Sequence, residues 1–213
     1  MAYLLDANVF ISAKNLHYGL DFCPAFWDWI IGNNANGLVF SIEKVGDEGL
    51  ALADELSVWA DALGAGFFLR PGAEVFPALA AVSAWANGQQ SEPSAVSTFL
   101  QVADYYLVAH ALAGQHAVVS HEVPSASKRK IKIPDACIGL GIKCMTPFEM
   151  LRRERARFVL GPQASRPKRI ERIGTGSDFI RGHNRQQGRP QAVTRGTRRR
   201  PDLPSKRGIL PAP

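Results

Sequence analysis

Residues 1–15 of the chain read MAYLLDANVFISAKN, and the acid inside this stretch decides how the rest is interpreted. The apolar run of Tyr3, Leu4 and Leu5 predicts a short strand, because an uninterrupted apolar run with a polar stop suits a strand buried on both faces. Asp6 then lies at the carboxyl end of that strand, where open α/β sheets bind ligands. The alternative is that Asp6 caps a helix beginning near Asn8.

Composition limits the fold and the compartment. The chain has 213 residues and is 46% hydrophobic, which allows one good-sized core. Cys23, Cys137 and Cys144 are odd in number and lack a CxxC spacing, which argues against a disulfide framework and a zinc ribbon. We therefore expect a reducing, cytoplasmic environment. The apolar stretches stop short of the roughly 20 residues that a membrane span needs, so no membrane association is expected.

The net charge of +6 is divided unequally along the chain. Residues 1–150 contain 8 Lys and Arg against 15 Asp and Glu, whereas residues 151–213 contain 17 against 4. The composition therefore predicts a folded acidic domain over residues 1–157 and a basic low-complexity tail over residues 158–213. Few large apolar residues occur from about residue 160 onward, which predicts disorder. The tail either neutralises nucleic-acid phosphates or is simply solvated.

Strand-like and helical segments alternate through the acidic part. Leu38 to Phe40 predicts a second strand that stops at Ser41, with Ser41 capping the next helix. A later helix over AEVFPALAAVSAWA contains Pro77, which is expected to disturb it, and NGQQSEPS is predicted to be a loop. Thr146 and Glu149 form a capping box for the last helix. The alternation predicts a three-layer α/β/α domain with a central, mainly parallel sheet.

Further acids follow the predicted strand ends or open the predicted helices. They are the group Glu43, Asp47 and Glu48, then Asp104 in VADYYLVAHALA, and Glu122 after the strand AVVS. Because the carboxyl ends of parallel strands share one edge of a sheet, we expect these acids to converge with Asp6. Four such positions favour a functional site over four separate helix caps.

These segments resemble a known family. YLLDANVFISAKN, SIEKVGDEG, VADYYLVAHALA and VVSHE, in this order, are similar to the PIN domain superfamily of metal-dependent ribonucleases. The closer likeness is to a PIN-like branch known as a domain of unknown function, DUF4411, in which DFCPAFWDWI and KIKIPDACIGLGIKC also recur. The resemblance covers about residues 1–152 and implies carboxylates that hold one or two Mg²⁺ or Mn²⁺ ions and cleave RNA with water.

The resemblance also implies roles for particular residues. Asp6, Glu48, Asp104 and Glu122 match the metal-binding and catalytic acids. Glu43 and Asp47 are rivals to Glu48, and Asp135 is a rival to Glu122, because the family more often has aspartate at the fourth position. Asn8 and Ser120 are expected to orient the acids. A basic run near Glu122 is expected either to bind RNA or to be a solvated loop; it comprises Lys128, Arg129, Lys130 and Lys132.

Two other enzyme classes fit these residues less well than a ribonuclease does. A phosphatase of the haloacid-dehalogenase kind needs a second acid two residues after the first, and Asn8 cannot act as that acid. A dinucleotide-binding enzyme needs a G-x-G-x-x-G motif, which the glycine pairs of this chain lack. A non-catalytic interaction module stays open because the fourth acid is altered. The resemblance further implies the toxin of a type II toxin-antitoxin pair, with a small antitoxin protein and a homodimer as possible partners.

Overall fold

The central feature of the computed structural model is a five-stranded, entirely parallel sheet with the strand order β3-β2-β1-β4-β5. The model describes residues 1–50, 53–125 and 127–159. The strands are β1 (Tyr3–Leu5), β2 (Val39–Ile42), β3 (Phe68–Leu69), β4 (Ala117–Val119) and β5 (Cys144–Met145). The predicted α/β class with a parallel sheet is confirmed. The predicted disorder of the basic tail lies, from residue 160 on, outside the described residues.

Helices connect the strands and cover the sheet. In chain order they are α1 (Ala7–Ser12), α2 (Pro24–Ala35), α3 (Glu43–Leu50), α4 (Glu55–Leu63), α5 (Val75–Asn87), α6 (Pro93–Phe99), α7 (Ala103–Gly114), α8 (Ile133–Gly139) and α9 (Pro147–Arg153). A π-helical turn over Ala13–His17 follows α1, and a 3₁₀ turn over Gly64–Gly66 precedes β3. Within the described residues, no helix combines the length and the apolar character needed to cross a membrane.

The core is built around β1, which lies in the middle of the sheet. Tyr3, Leu4 and Leu5 are at most 2% exposed, as their uninterrupted apolar sequence predicts for a strand covered on both faces. Burying each leucine side chain contributes on the order of 1.5–3 kcal/mol. Helix α7 adds Leu107 and Val108, which are fully buried as well. The predicted helical face of VADYYLVAHALA therefore packs into the core.

The strand order creates a switch point between β1 and β4. From β1 the chain proceeds outward through β2 and β3, then returns to the other side of β1 to form β4 and β5. Leu5 pairs with Val119 in the parallel register, so the residues that follow, Asp6 and Ser120, lie next to each other. Crevices at such switch points, beyond the carboxyl ends of the strands, are where α/β sheets bind ligands.

Contrary to the prediction, Ser41 lies inside β2 and does not cap the following helix. The prediction ended the second strand at Ser41 and made this residue the helix cap, but β2 continues through Ile42 and α3 begins at Glu43. Ser41 is fully buried, and its hydroxyl donates a 2.6 Å hydrogen bond to the backbone oxygen of Leu5. A buried hydroxyl needs a partner, and the neighbouring strand supplies one. The tertiary contact therefore outweighs the local capping preference of serine.

Proline positions explain two further differences. Pro77 is the third residue of α5, where a backbone N–H has no helical partner to lose, so the helix is not interrupted. Pro93 begins α6 inside the predicted loop NGQQSEPS, so the end of that loop was predicted wrongly and the helix was not predicted. The capping box of α9 is confirmed: the Glu149 backbone N–H donates to Thr146 Oγ1 at 3.2 Å, and the Thr146 N–H donates to Glu149 Oε2 at 2.7 Å.

Candidate functional site

Asp6 lies at the switch point and is 4% exposed. Its backbone N–H donates to the oxygen of Val119 at 3.0 Å, which extends the pairing of β1 with β4 by one residue. Asp6 occupies the residue before α1, but its side chain makes no capping hydrogen bond. Instead, its Oδ2 accepts a 2.9 Å hydrogen bond from Ser120 Oγ. The helix-capping alternative therefore does not account for this carboxylate.

Ser120 is the centre of a hydrogen-bond network that joins α1 to the loop after β4. Ser120 Oγ accepts from Asn8 Nδ2 at 3.1 Å and from the Glu122 backbone N–H at 3.0 Å, while it donates to Asp6. Asn8 Oδ1 in turn accepts from the His121 backbone N–H at 3.1 Å. One donor and two acceptor positions are the full capacity of a hydroxyl. With both acceptor positions occupied, the Ser120 hydroxyl proton is directed to Asp6 Oδ2.

The Asp6 carboxyl is unusually easy to protonate. Burial is the main cause that raises its pKa to about 7, and the nearby charge of Asp104 raises it further. The hydrogen bond from Ser120 lowers the pKa, and Glu122 raises it again. Burial and neighbouring acids both disfavour the charged form of the Asp6 carboxyl. A cation bound at this position would favour the charged form and so offset both effects.

Asp104 is the second residue of α7 and points toward the same group of acids. Burial raises its pKa to about 6, and the charge of Glu122 is the next contribution. Lys130 lowers the pKa, and Glu48 raises it. The charges of Asp104 and Glu122 therefore both act on Asp6, and the charge of Glu122 acts on Asp104, although α7 and the loop after β4 are separate in sequence.

Among the three candidates for the second acid, Glu48 is the one whose charge acts on Asp104. Burial raises the pKa of Glu48, while the backbone N–H of Ala103 at the start of α7 lowers it. Glu43 faces elsewhere, since its Oε1 pairs with Arg70 Nε at 3.0 Å on the surface. Asp47 and Glu48 are both exposed on α3, so the influence of Glu48 on Asp104 is what distinguishes them. The structure brings Glu48 toward the other acids.

Glu122 lies beside the site with both carboxylate oxygens engaged. Its Oε1 accepts from Lys130 Nζ at 3.2 Å, and its Oε2 accepts from the Ile133 backbone N–H at 3.0 Å, at the start of α8. The side chain is 15% exposed. Its rival Asp135 accepts from the backbone N–H groups of Ser125 at 2.8 Å and Lys132 at 3.4 Å. These bonds make Asp135 a cap of α8.

The basic run lies along one side of the acids. Lys130 reaches the site directly through Glu122, and Arg129 Nε pairs with Glu92 Oε1 at 3.5 Å. Lys128 and Arg129 are exposed, whereas Lys132 is half-buried. A cavity of about 260 Å³ is lined by Asp104, Arg129 and Lys130 together. Positive and negative groups therefore meet at one opening, which suits a ligand that carries phosphate and binds a cation.

A comparison with protein-family models matches residues 3–158 to the family described as "Domain of unknown function (DUF4411)". This chain belongs to the DUF4411 family. Searches of curated proteins and of solved structures found no match. The match extends from β1 through α9, so the DUF4411 domain includes every acid described above.

Three residues of this DUF4411 domain come near the site without having been predicted there. His17, from the π-helical turn, lies 5.6 Å from the His121 ring between centroids, and Phe148 contacts both. Cys144 in β5 is close enough that the charges of Asp6 and Glu122 affect its thiol. Cys144 lies near the acids because β5 pairs with β4, and this pairing could not be read from the sequence. No local signal in the sequence marks His17.

The donor set of the DUF4411 domain suits a hard divalent cation, because Mg²⁺ and Mn²⁺ prefer carboxylate oxygens. Asp6, Asp104, Glu48 and Glu122 supply such oxygens, and Asp6 and Asp104 have raised pKa values that a cation would lower. Among residues 1–50, 53–125 and 127–159, no three Asp, Glu, His or Cys side chains already converge as a ready-made metal site. The carboxylates interact through their charges at longer range.

Proposed function

We propose that this protein is a PIN-like endoribonuclease that hydrolyses RNA phosphodiesters with Mg²⁺ or Mn²⁺. The observation that carries the proposal is the electrostatic coupling of Asp6, Asp104 and Glu122 at the β1/β4 switch point, with Glu48 beside Asp104. Clustered carboxylates raise pKa values and cost folding free energy in the absence of a cation, whereas a bound cation stabilises their charged forms.

The four acids have distinct parts in this proposal. Asp6 is buried and Asp104 is half-buried, and these two would hold the cation, while Glu48 and Glu122 would complete its surroundings. A bound Mg²⁺ or Mn²⁺ ion supplies charge for the transition state and lowers the pKa of a bound water. Ser120 keeps the Asp6 carboxylate oriented, and Asn8 keeps Ser120 in place.

A polyanionic substrate is favoured by the charges around the acids. Lys130 contacts Glu122 and also lines the cavity that contains Asp104, so a phosphate approaching the acids meets an ammonium group. Arg129 lines the same cavity. Contacts of this kind attract a nucleic-acid backbone without reading its sequence. RNA, rather than another phosphodiester, follows from the PIN-like resemblance.

By the same resemblance we propose that the enzyme is the toxin of a type II toxin-antitoxin pair, in which a small antitoxin protein restrains a homodimer. The cysteine pattern supports a cytoplasmic location for it. Co-expression with the protein encoded by the neighbouring gene would test this part. We expect the small protein to copurify with this chain and to suppress RNA cleavage. If the two proteins do not bind each other and cleavage is not inhibited, this part of the proposal is wrong.

The central experiment compares Asp6→Asn and Asp104→Asn with the wild-type protein on a broad panel of RNAs, with Mn²⁺ and with EDTA. Both variants are expected to lose divalent-dependent cleavage by at least about 100-fold while they remain folded by circular dichroism. Asp61→Asn, on the exposed face of α4, is the matched control and should cleave normally. Calorimetric titration with Mn²⁺ should show binding to wild type and weakened binding to Asp6→Asn.

One observation favours a second candidate, a protein- or RNA-interaction module without catalysis. Both carboxylate oxygens of Glu122 already have protein partners, Lys130 and the Ile133 N–H. Wild-type protein that neither binds Mn²⁺ nor cleaves any RNA of the panel would favour this candidate over the nuclease.

A further inference from the structure

A second cavity, of about 400 Å³, opens beside the basic run, between the end of α5 and helix α8. Its lining includes Trp85, Gln89, Lys128 and Lys130, together with the α8 cap residue Asp135. An aromatic face, a hydrogen-bonding amide and positive charge are the groups that bind an unpaired nucleotide. The Glu92 backbone N–H donates to the oxygen of Lys128 at 2.8 Å, which holds the basic run against this wall.

Trp85 differs from Trp27 and Trp59 in its surroundings. Trp27 is 2% exposed and lies 4.8 Å from the Trp59 ring, inside an aromatic cluster. Trp85 is half-buried, as Trp59 is, but it lines the cavity and has Phe99 as its aromatic neighbour, edge-on at 6.5 Å. Part of its ring surface is therefore turned to the cavity. Such a surface accepts any base, since every base has a π face.

The position of Trp85 depends on Gly139, the last residue of α8. A Cβ atom at this glycine would lie 2.1 Å from Trp85 Nε1, which is far inside van der Waals contact. The φ angle of Gly139 is not positive, so the backbone does not require glycine. The absence of a side chain leaves space for the indole, and a larger residue would push the ring out of its place.

The Trp85 cavity is connected to the acids through Lys130. Lys130 and Ile131 line both this cavity and the smaller one that contains Asp104, and Lys130 Nζ also contacts Glu122 at 3.2 Å. A strand that places one base against Trp85 therefore runs past Lys130 to the acids. Its phosphates meet Lys128 and Arg129 on the way.

We propose that the Trp85 cavity binds the base of one unpaired nucleotide of single-stranded RNA next to the cleaved phosphodiester; this proposal rests on the proposed ribonuclease function. Duplex RNA does not fit, because its bases are paired and stacked inside the helix. The enzyme then distinguishes single strands from duplexes through Trp85, not through the acids.

The test uses the full-length protein in EDTA, so that binding is measured without cleavage. A short fluorescein-labelled single-stranded RNA is titrated by anisotropy, with excess unlabelled duplex RNA to saturate sequence-independent binding by the basic tail. Trp85→Ala and Gly139→Ala should each weaken binding at least about fivefold, and Trp85→Phe should retain most of it. Phe76→Ala, which removes an exposed aromatic ring from the same helix, should bind like wild type.

Photo-crosslinking of the wild-type protein with a thiouridine-containing strand gives a second readout that does not rely on a substituted protein remaining folded. Crosslinks to the peptide containing Trp85, lost on addition of unlabelled single strand but not of duplex, support the proposal. Equal binding by wild type and Trp85→Ala, or equal competition by duplex RNA, overturns it. Binding through Trp85 without any Mn²⁺-dependent cleavage would instead overturn the proposed hydrolysis and leave the cavity assignment standing.

Discussion

Ser120 Oγ donates a 2.9 Å hydrogen bond to Asp6 Oδ2 and so joins the ends of the two central strands, β4 and β1. We predict that Ser120→Ala lowers the rate of Mn²⁺-dependent RNA cleavage about 10- to 100-fold, because Asp6 loses the group that orients it. The measurement is kcat on a single RNA substrate. Ser97→Ala, an exposed serine of α6, is the control and should leave kcat unchanged.

The raised pKa of Asp6 predicts a pH dependence of stability. An acid whose pKa rises from 3.8 in the unfolded chain to about 7 in the folded protein binds more protons when folded. The free energy of unfolding of the metal-free protein should therefore fall as the pH rises from about 4 to about 7. The Asp6 contribution is on the order of 1–4 kcal/mol. Urea unfolding in EDTA measures it.

Asp6→Asn should make this pH dependence shallower, with Asp104 still contributing because its pKa is raised to about 6. It should also stabilise the metal-free protein at neutral pH, since an amide carries no charge to bury. Asp61→Asn should leave the slope unchanged. A steeper or unaltered slope in Asp6→Asn would show that Asp6 is not the group responsible.

The choice of second acid is tested by three neutral substitutions on α3. Glu48→Gln should reduce cleavage at least about tenfold, because Glu48 is the acid whose charge reaches Asp104. Glu43→Gln should remove the surface pair with Arg70 and change the free energy of unfolding by less than about 1 kcal/mol, with normal cleavage. Asp47→Asn should also cleave normally. Reversal of this order would reassign the second acid.

Whether Glu122 or Asp135 is the fourth acid can be tested by comparing cleavage and the free energy of unfolding in one variant of each. Glu122→Gln should reduce cleavage, because it removes a charge next to Asp6 and Asp104. Asp135→Asn should instead weaken the cap of α8 and lower the free energy of unfolding by about 1 kcal/mol while cleavage persists. Single-turnover cleavage and urea unfolding of both variants make the comparison. Loss of cleavage in Asp135→Asn alone would make it the functional acid.

Ser41 offers a test of the fold that is independent of the site. Ser41→Ala should lower the free energy of unfolding by about 1 kcal/mol, because the buried backbone oxygen of Leu5 loses a hydrogen bond from β2. Cleavage should be retained, since the Ser41 hydroxyl binds the backbone of Leu5 and β1 lies between Ser41 and Ser120. Chemical denaturation with an activity assay on the same sample checks both statements.

The local sequence determined the elements in which apolar pattern and capping chemistry agree. Tyr3 to Leu5 form a strand, Thr146 and Glu149 cap α9, and LLDANVFI places an acid directly after the first strand. Alternation of strands and helices was sufficient to predict a parallel sheet. These features depend on neighbouring residues, whose geometry follows from short-range backbone and side-chain preferences.

Tertiary structure decided which of the equivalent acids come together. Glu43, Asp47 and Glu48 share one short helix, and only its packing against α7 brings Glu48 toward Asp104. Asp135 and Glu122 differ in their partners within one loop: Asp135 caps α8 through the Lys132 N–H, three residues before it, whereas Glu122 binds Lys130 and the Ile133 N–H. Ser41 became a strand residue through its tertiary contact with Leu5. The sequence by itself therefore determined Asp6 and its strand, whereas burial and the strand order decided what lies opposite Asp6, because those contacts join segments more than a hundred residues apart.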